Sequence, residues 1–271
     1  MFADLHTHST FSDGKYTPTE LVDAAAKAQI GFLAITDHDS WNGVAEAIQR
    51  AEQVQTVTII PGVELGTQYN GKSVHILAYY VDVKNDALYS KMNEMRHARE
   101  IRLYKILDKL HELGYEITVE ACDPKNRAVG RPHVAKALVS KGYFSTVQEV
   151  FDKLLKEGGP AYVPQPKLAP DEAIMLIHAA GGIAVLAHPS ELNNADLVQE
   201  LLRKFDFDGI EVYHPSSNKD DEILWKKLAC QYGLLISGGS DFHGMPDRFP
   251  DKLGIFNIQQ ELLSGIIKYK D

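Results

Sequence analysis

A chain of 271 residues suits one large domain, or one domain carrying an inserted subdomain, with ample length for a buried core. Hydrophobic content of 44% and charged content of 24% are ordinary for a soluble globular protein, and no apolar run approaches the roughly 20 residues of a membrane span. A formal net charge of −9 argues against broad coating of nucleic acid, which needs many cationic phosphate contacts, yet leaves room for a small phosphorylated substrate held through bound cations.

The N-terminus carries no basic-then-apolar pattern, which predicts a cytoplasmic protein. Cys122 and Cys230 form neither a disulfide framework nor a Cys-x-x-Cys pair, so any metal site has to be built from histidine and carboxylate.

Short apolar runs alternate with helical patterns, the rhythm of βα units around a largely parallel sheet. A first strand at Phe2–Leu5 runs into His6 and His8, with Asp13 close behind. The stretch "TPTELVDAAAKAQ" follows as a helix, with Thr17 as its cap and Pro18 at its first position. A strand at Phe32–Thr36 leads to Asp37 and His38, one at Thr58–Val63 leads to Glu64, and one at Val74–Tyr80 contains His75.

Over about 84–166 the rhythm breaks. A long helix, "LYSKMNEMRHAREIRLYKILDKLHELG", a loop, and the helices "RPHVAKALVSKGY" and "TVQEVFDKLL" predict a helical insertion in the barrel. Arg96, Arg99, Arg102 and Lys105 recur along its first helix as a solvated or ion-paired face, with a path for a polyanionic substrate as the alternative. The strand rhythm then resumes: Ile183–Ala187 runs into His188, Gly209–Val212 into His214, and Leu234–Ser237 into Asp241 and His243.

Six of the seven runs lead straight into a potential ligand. In a barrel of parallel strands, side chains at the carboxyl ends converge on one face. Taken singly, each has an ordinary explanation. A His-x-His near a terminus can be plain surface, Asp37 and Asp39 can cap backbone, and His75 can be a satisfied core histidine. Glu64 is harder to dismiss, because a glutamate on an apolar strand usually needs a partner. Together, so many imidazoles and carboxylates on one edge are costly without bound cations, which predicts a multinuclear metal centre. Nitrogen and oxygen donors without thiolate suit Mn²⁺, Fe²⁺ or Zn²⁺ better than Mg²⁺ or Ca²⁺ alone. In the insertion, Gly-Arg-Pro-His at a helix entrance offers Arg131 and His133 as a phosphate cradle, with an ordinary proline-started helix as the alternative.

The segments "DLHTHSTFSDG", "AITDHD", "PGVELG", "VHILAYY", "AHP" and "GSDFHG" resemble, in order along the full chain, the motifs of the PHP (polymerase and histidinol phosphatase) superfamily. The resemblance implies an α/β fold, a distorted (β/α)7 barrel spanning 1–271 as a single domain with the helical insertion inside it. It implies two or three divalent ions, Mn²⁺ ahead of Fe²⁺ or Zn²⁺. The implied ligands are His6, His8, Asp13, His38, Glu64, His75, His188, Asp241 and His243. By analogy Glu64 bridges two ions, while Asp13, His38 and His243 serve a third.

The segment "VGRPHVAKALVSKGY" resembles the branch that acts on nucleotide phosphates, where Arg131 and His133 reach toward substrate. His214 in "EVYHPS" is then expected to contact the substrate phosphate or to protonate the leaving group. The implied activity is metal-dependent phosphoester hydrolysis by a hydroxide bridging two ions, with Glu64, Asp241, His214 and Arg131 in catalysis. The expected reaction removes the 3′-phosphate of a 3′,5′-bisphosphonucleotide. Trimming of short oligonucleotides from the 5′ end and hydrolysis of histidinol phosphate are the enzymatic alternatives. A non-catalytic metal-binding module fits poorly with a complete ligand set, and an amidohydrolase usually lacks a phosphate cradle. No obligate protein partner is implied.

Overall fold

The computed structural model describes every residue except 83, 123–128, 166, 247 and 271. The chain runs β1 (Phe2–Asp4), α1 (Pro18–Lys27), β2 (Ile30–Ile35), α2 (Val44–Val54), β3 (Thr58–Tyr69) and β4 (Lys72–Tyr79). It continues through α3 (Asp86–Glu112), α4 (Arg131–Ser140), α5 (Val147–Val150) and α6 (Pro170–Ala179). Then come β5 (Ile183–Leu186), α7 (Ala195–Lys204), β6 (Gly209–Tyr213), α8 (Lys219–Tyr232), β7 (Leu235–Gly238), β8 (Ile258–Gln259) and α9 (Ser264–Ile267). All seven strands expected from apolar runs form, within a residue or two at most ends; the exception is β3, which extends to Tyr69.

The strands lie in the order β7-β6-β5-β4-β3-β2-β1-β8. The two ends of the order approach each other beyond the regular ladder. Leu5 N donates to Gly238 O at 3.1 Å and His8 N to Phe242 O at 2.9 Å, which leaves a nearly closed barrel. Pairing is parallel for β1·β2, β2·β3, β5·β6 and β6·β7.

The fourth strand corrects the expectation of successive βα units. β4 pairs antiparallel with both β3 and β5. The physical cause is a two-residue turn, Asn70-Gly71, whose residues both take positive φ (48° and 77°), the geometry that matches the twist of a tight hairpin. The two-residue β8 pairs antiparallel with β1 and has no apolar run to announce it.

Period-two alternation sorts the strand residues. Leu5, Ala34, Ile60, Leu77, Tyr79, Ile183 and Val185 pack in one inner cluster. Leu33 and Ile35 point the other way, against Leu21, Val22 and Ala25 of α1 and Ala47 of α2. Helix α1 starts as its sequence directs. Thr17 accepts from Glu20 N, Glu20 reaches back to the Thr17 N–H, and Pro18 opens the first turn; such a cap stabilises a helix by about 1 kcal/mol.

The chain divides into two compact units, Met1–Tyr89 with Lys167–Asp271, and Ser90–Pro166. The second has its own core, in which Leu103, Ile106 and Leu110 of α3 pack with Val134 and Leu138 of α4 and with Leu154 and Leu155. Position 166, where the insertion was expected to end, lies outside the described residues. Arg102 departs from the expected solvated face. It is buried, with Nε donating to Val163 O at 2.7 Å and Nη1 to Gln165 Oε1 at 3.1 Å.

Candidate metal centre

Glu64 sits in the middle of β3, on the same face as Ile60 of the inner cluster, and is 1% exposed. Five imidazoles surround its carboxylate. Oε2 lies 3.3 Å from His6 Nε2, 3.2 Å from His8 Nε2 and 3.0 Å from His38 Nδ1, while Oε1 lies 2.7 Å from His75 Nδ1 and 3.0 Å from His188 Nε2. The hairpin explains His75. Because β4 runs antiparallel, its beginning reaches the rim where the parallel strands end, and the ladder sets His75 opposite Gly66.

Asp241 forms a second focus, with Oδ1 3.0 Å from His8 Nε2 and 3.5 Å from both His6 Nε2 and His243 Nδ1. Asp13 forms a third, with Oδ1 3.1 Å from His243 Nε2, 3.9 Å from His8 Nδ1 and 4.0 Å from His38 Nε2. All nine expected ligands therefore stand in one connected cluster.

Among the described residues five sets of donor atoms lie close enough together to share a cation: His6, His8, Glu64 and Asp241; His38, Glu64 and His75; His8, Asp13, His38 and His243; His6, Glu211 and His214; and Glu191, His214 and Asp241. Glu64 belongs to the first two sets, as a bridging carboxylate would. His8 Nε2, Asp13 Oδ1 and His214 Nε2 are buried without a hydrogen-bond partner in this arrangement. Buried polar atoms are rarely left so, and the mixture of imidazole nitrogen and carboxylate oxygen suits divalent ions. The residues fit a metal centre.

The electrostatics agree. Burial opposes the charge on Glu64, yet His38, His75 and His6 outweigh it and hold the carboxyl well below its ordinary range. Asp241 and Asp13 are likewise desolvated, and likewise held well below that range by neighbouring imidazoles. Burial also works against protonated His8 and His188, but Asp241 and Glu64 push His8 up to about 9, and Glu64 pushes His188 up to about 9. His75 and His243 go the other way, lowered by burial with help from adjacent imidazoles. The carboxylates are thus ionised at neutral pH, and they require positive charge from protons or from metal.

Several supporting residues stand outside the nine expected ligands, and one of them, Asp37, caps backbone as its sequence allowed. Glu211 in β6 is fully buried; it accepts from His6 Nδ1 at 3.0 Å and from His188 N at 2.7 Å. Asp4 accepts from Ser240 N at 2.8 Å and from its hydroxyl, pinning β1 to the segment after β7; burial raises its pKa to about 6 despite those bonds. Asp37 accepts from Ser9 N at 2.7 Å and from the hydroxyls of Ser9 and Ser12, which fixes the loop between His8 and Asp13. Arg248 pairs with Asp241 and approaches His243 Nε2 at 3.3 Å.

The backbone is tight around these groups. A Cβ on Gly239 would stand 2.3 Å from both Cβ and N of His6, so only glycine lets the strand after β7 pass there. His188 and Asp241 take positive φ (28° and 50°), a conformation that costs of order 1–3 kcal/mol each and is characteristic of functional sites.

His214 lies beside this cluster, its Nε2 3.7 Å from Asp241 Oδ2. Its Nδ1 accepts from Ser216 N at 3.1 Å and lies 2.7 Å from Ser216 Oγ, which leaves the proton of neutral His214 on Nε2. Arg131 and His133 belong to the second unit. Arg131 opens α4, stacks over Phe151 and Tyr162 with 5.6 Å to each ring centroid, and donates from Nη1 to Leu155 O at 3.0 Å. His133 is buried, and its Nδ1 accepts the Gly130 N–H at 3.1 Å.

Residues 4–162 match the PHP domain family. The chain is 34% identical over 247 residues to the 5′-3′ exoribonuclease Rnm of Escherichia coli, covering 89% of this chain and 84% of that one. It is also 34% identical over 248 residues to a 3′,5′-nucleoside bisphosphate phosphatase of Chromobacterium violaceum, covering 89% and 86%. A crystal structure from Bifidobacterium adolescentis, assigned as a metal-dependent phosphoesterase, superposes with a TM-score of 0.87 at 29% identity, covering 98% of this chain and 95% of that one. With more than half of its length matching the family's domain and relatives at 34% identity over most of both chains, the chain belongs to the PHP domain family.

Proposed function

We propose that this protein is a metal-dependent phosphoesterase that removes the 3′-phosphate of 3′,5′-bisphosphonucleotides. The observation that carries the reading is the setting of Glu64, one ionised carboxylate shared by five imidazoles from four different segments of the barrel. Similarity to a phosphatase of nucleoside bisphosphates supports the substrate. Equal similarity to an exoribonuclease supports a second reading, hydrolysis of short oligonucleotides at the same site.

Divalent ions, Mn²⁺ ahead of Fe²⁺ or Zn²⁺, would be held by His6, His8, Asp13, His38, Glu64, His75, Asp241 and His243, with His188 joining through its place 3.0 Å from Glu64 Oε1, two or three in number. Bound there, they supply Lewis acidity and acidify water. The chain's own residues do the rest. Glu64, Asp241 and Asp13 stay ionised and set the negative field of the site. His6 keeps its Nδ1 on Glu211, which turns Nε2 inward. Ser216 holds His214 with its Nε2 proton free to donate to a phosphoryl oxygen or to the departing oxygen.

Contact of Arg131 and His133 with substrate remains part of the proposal, on the strength of the "GRPH" resemblance, as do the reading of the Ser90–Pro166 unit as an insertion in one barrel domain and a cytoplasmic location. Among the described residues no helix is long and apolar enough to cross a membrane.

The test is a panel of adenosine 3′,5′-bisphosphate, short 5′-phosphorylated oligonucleotides and histidinol phosphate, each with Mn²⁺. Release of phosphate from the first is expected. Turnover confined to oligonucleotides would move the assignment to the second reading, and no turnover of either would overturn both.

A further inference from the structure

Beside the metal-ligand cluster, the turn after β5, the loop after β6 and the segment after β7 enclose a cavity of about 220 Å³. Its lining includes Glu191, His214, Ser216, Asp241, Arg248 and Phe249. The inner wall is firmly built. Trp225 Nε1 donates to Ser190 Oγ at 2.9 Å, Ser190 Oγ meets Ser217 Oγ at 2.9 Å, and Ser217 N donates to His214 O at 2.9 Å.

The outer wall is different in kind. Phe249 is 60% exposed, a large apolar ring that contributes little to the core. The Arg248 side chain is 44% exposed, and among the described residues its contacts, to Asp241 and His243, use fewer N–H donors than a guanidinium carries. Glu191, half exposed, brings a carboxylate oxygen within 4.8 Å of the donor atoms of His214 and Asp241. The cavity therefore offers one guanidinium and one aromatic face, with the carboxylates of Asp241 and Glu191 beside them.

We propose that this cavity is the nucleoside subsite: Phe249 stacks on the base and Arg248 binds the phosphate that is not cleaved. The assignment rests on the nucleotide reading above and adds the residues that select the nucleoside. Aromatic side chains stack on any base, and a guanidinium pairs with phosphate oxygens through two parallel N–H donors. Glu191 is left to accept from a sugar hydroxyl or a base amine.

The test uses the full chain loaded with Mn²⁺ and two readouts. One is calorimetric affinity for adenosine 5′-monophosphate, which needs no turnover. The other is the ratio of kcat/KM for adenosine 3′,5′-bisphosphate to that for glycerol phosphate. Phe249→Ala, at an exposed position where folding is little affected, should weaken binding of the monophosphate on the order of tenfold and lower the ratio similarly. Phe249→Trp should restore both. Arg248→Ala should weaken binding of adenosine 5′-monophosphate and leave the affinity for adenosine as it was. Wild-type affinity in Phe249→Ala would overturn the subsite while the nucleotide reading stood. A wild-type protein that hydrolyses glycerol phosphate yet neither binds nor cleaves nucleotides would overturn both.

Discussion

Glu211 accepts the Nδ1–H of His6 at 3.0 Å, with both side chains fully buried, and so decides which nitrogen of His6 faces Glu64 and Asp241. An ionised carboxylate can only accept, and His6 holds Glu211 in that form by lowering its pKa against the effect of burial. Partners of this kind orient a metal-ligating imidazole and raise its basicity. Glu211→Gln should therefore weaken Mn²⁺ binding by roughly 10–100-fold while the circular dichroism spectrum stays native. Titration against a fluorescent chelator measures this, and unchanged affinity would remove Glu211 from the metal centre.

Glu64→Gln and Asp241→Asn replace ionised carboxylates by neutral amides in the midst of imidazoles. Each should lower kcat/KM by about 10³ or more, as expected when the groups that hold charge in a phosphoryl-transfer site are lost, with the barrel still folded. Steady-state kinetics beside thermal melts would check it, and near-normal turnover in either variant would dismiss the shared-carboxylate mechanism.

Metal uptake should release protons at neutral pH. His8 and His188 have pKa values raised to about 9, so without metal they are protonated at pH 7, and a ligand nitrogen must be free of its proton. The sign follows: apparent affinity for Mn²⁺ rises with pH from about 6 and levels off above about 9, where no proton remains to displace. Calorimetry in two buffers of different ionisation enthalpy reads the proton count directly. Equal heats in both buffers would mean that these imidazoles are neutral before metal enters.

Arg131 can be separated into a structural and a substrate role. Its stacking on Phe151 and Tyr162 and its bond to Leu155 O predict that Arg131→Ala lowers the melting temperature. If it also binds phosphate, KM for phosphate substrates rises while kcat changes less, and Arg131→Lys recovers only part because it lacks the bidentate fork. A lower melting temperature with unchanged KM would leave Arg131 as a structural residue alone.

What could be read from the sequence was what apolar strands make conspicuous. A glutamate in "PGVELG" and a histidine at the end of "AVLAH" stand out because their strand neighbours are apolar. Glu211 in "GIEVY" carries the same signature as Glu64, but His214 three residues later is the more conspicuous candidate on that strand. Asp4 was hidden in the same way by the His-x-His that follows it. Arg248 and Phe249, in a polar loop without periodicity, carry no signal that order or spacing could reveal. Helical periodicity places Arg102 on a face, but it cannot say that Val163 O will meet it there. The reversed fourth strand does have a signal, since Asn-Gly between two strand-like runs is the strongest short hairpin cue, set within an otherwise regular βα rhythm.

That turn has a consequence for how tolerant the site is to change. Glu64 and His75 are eleven positions apart and are tied through one continuous ladder, so their alignment is governed by the loop length at Asn70-Gly71 rather than by long-range packing. Side chains on a strand alternate between faces, so slipping β4 by a single residue would swing His75 to the outer surface and carry Leu77 and Tyr79 out of the inner cluster with it. An insertion or deletion of one residue at this distant tip would thus disarm the centre without altering any of its candidate ligands.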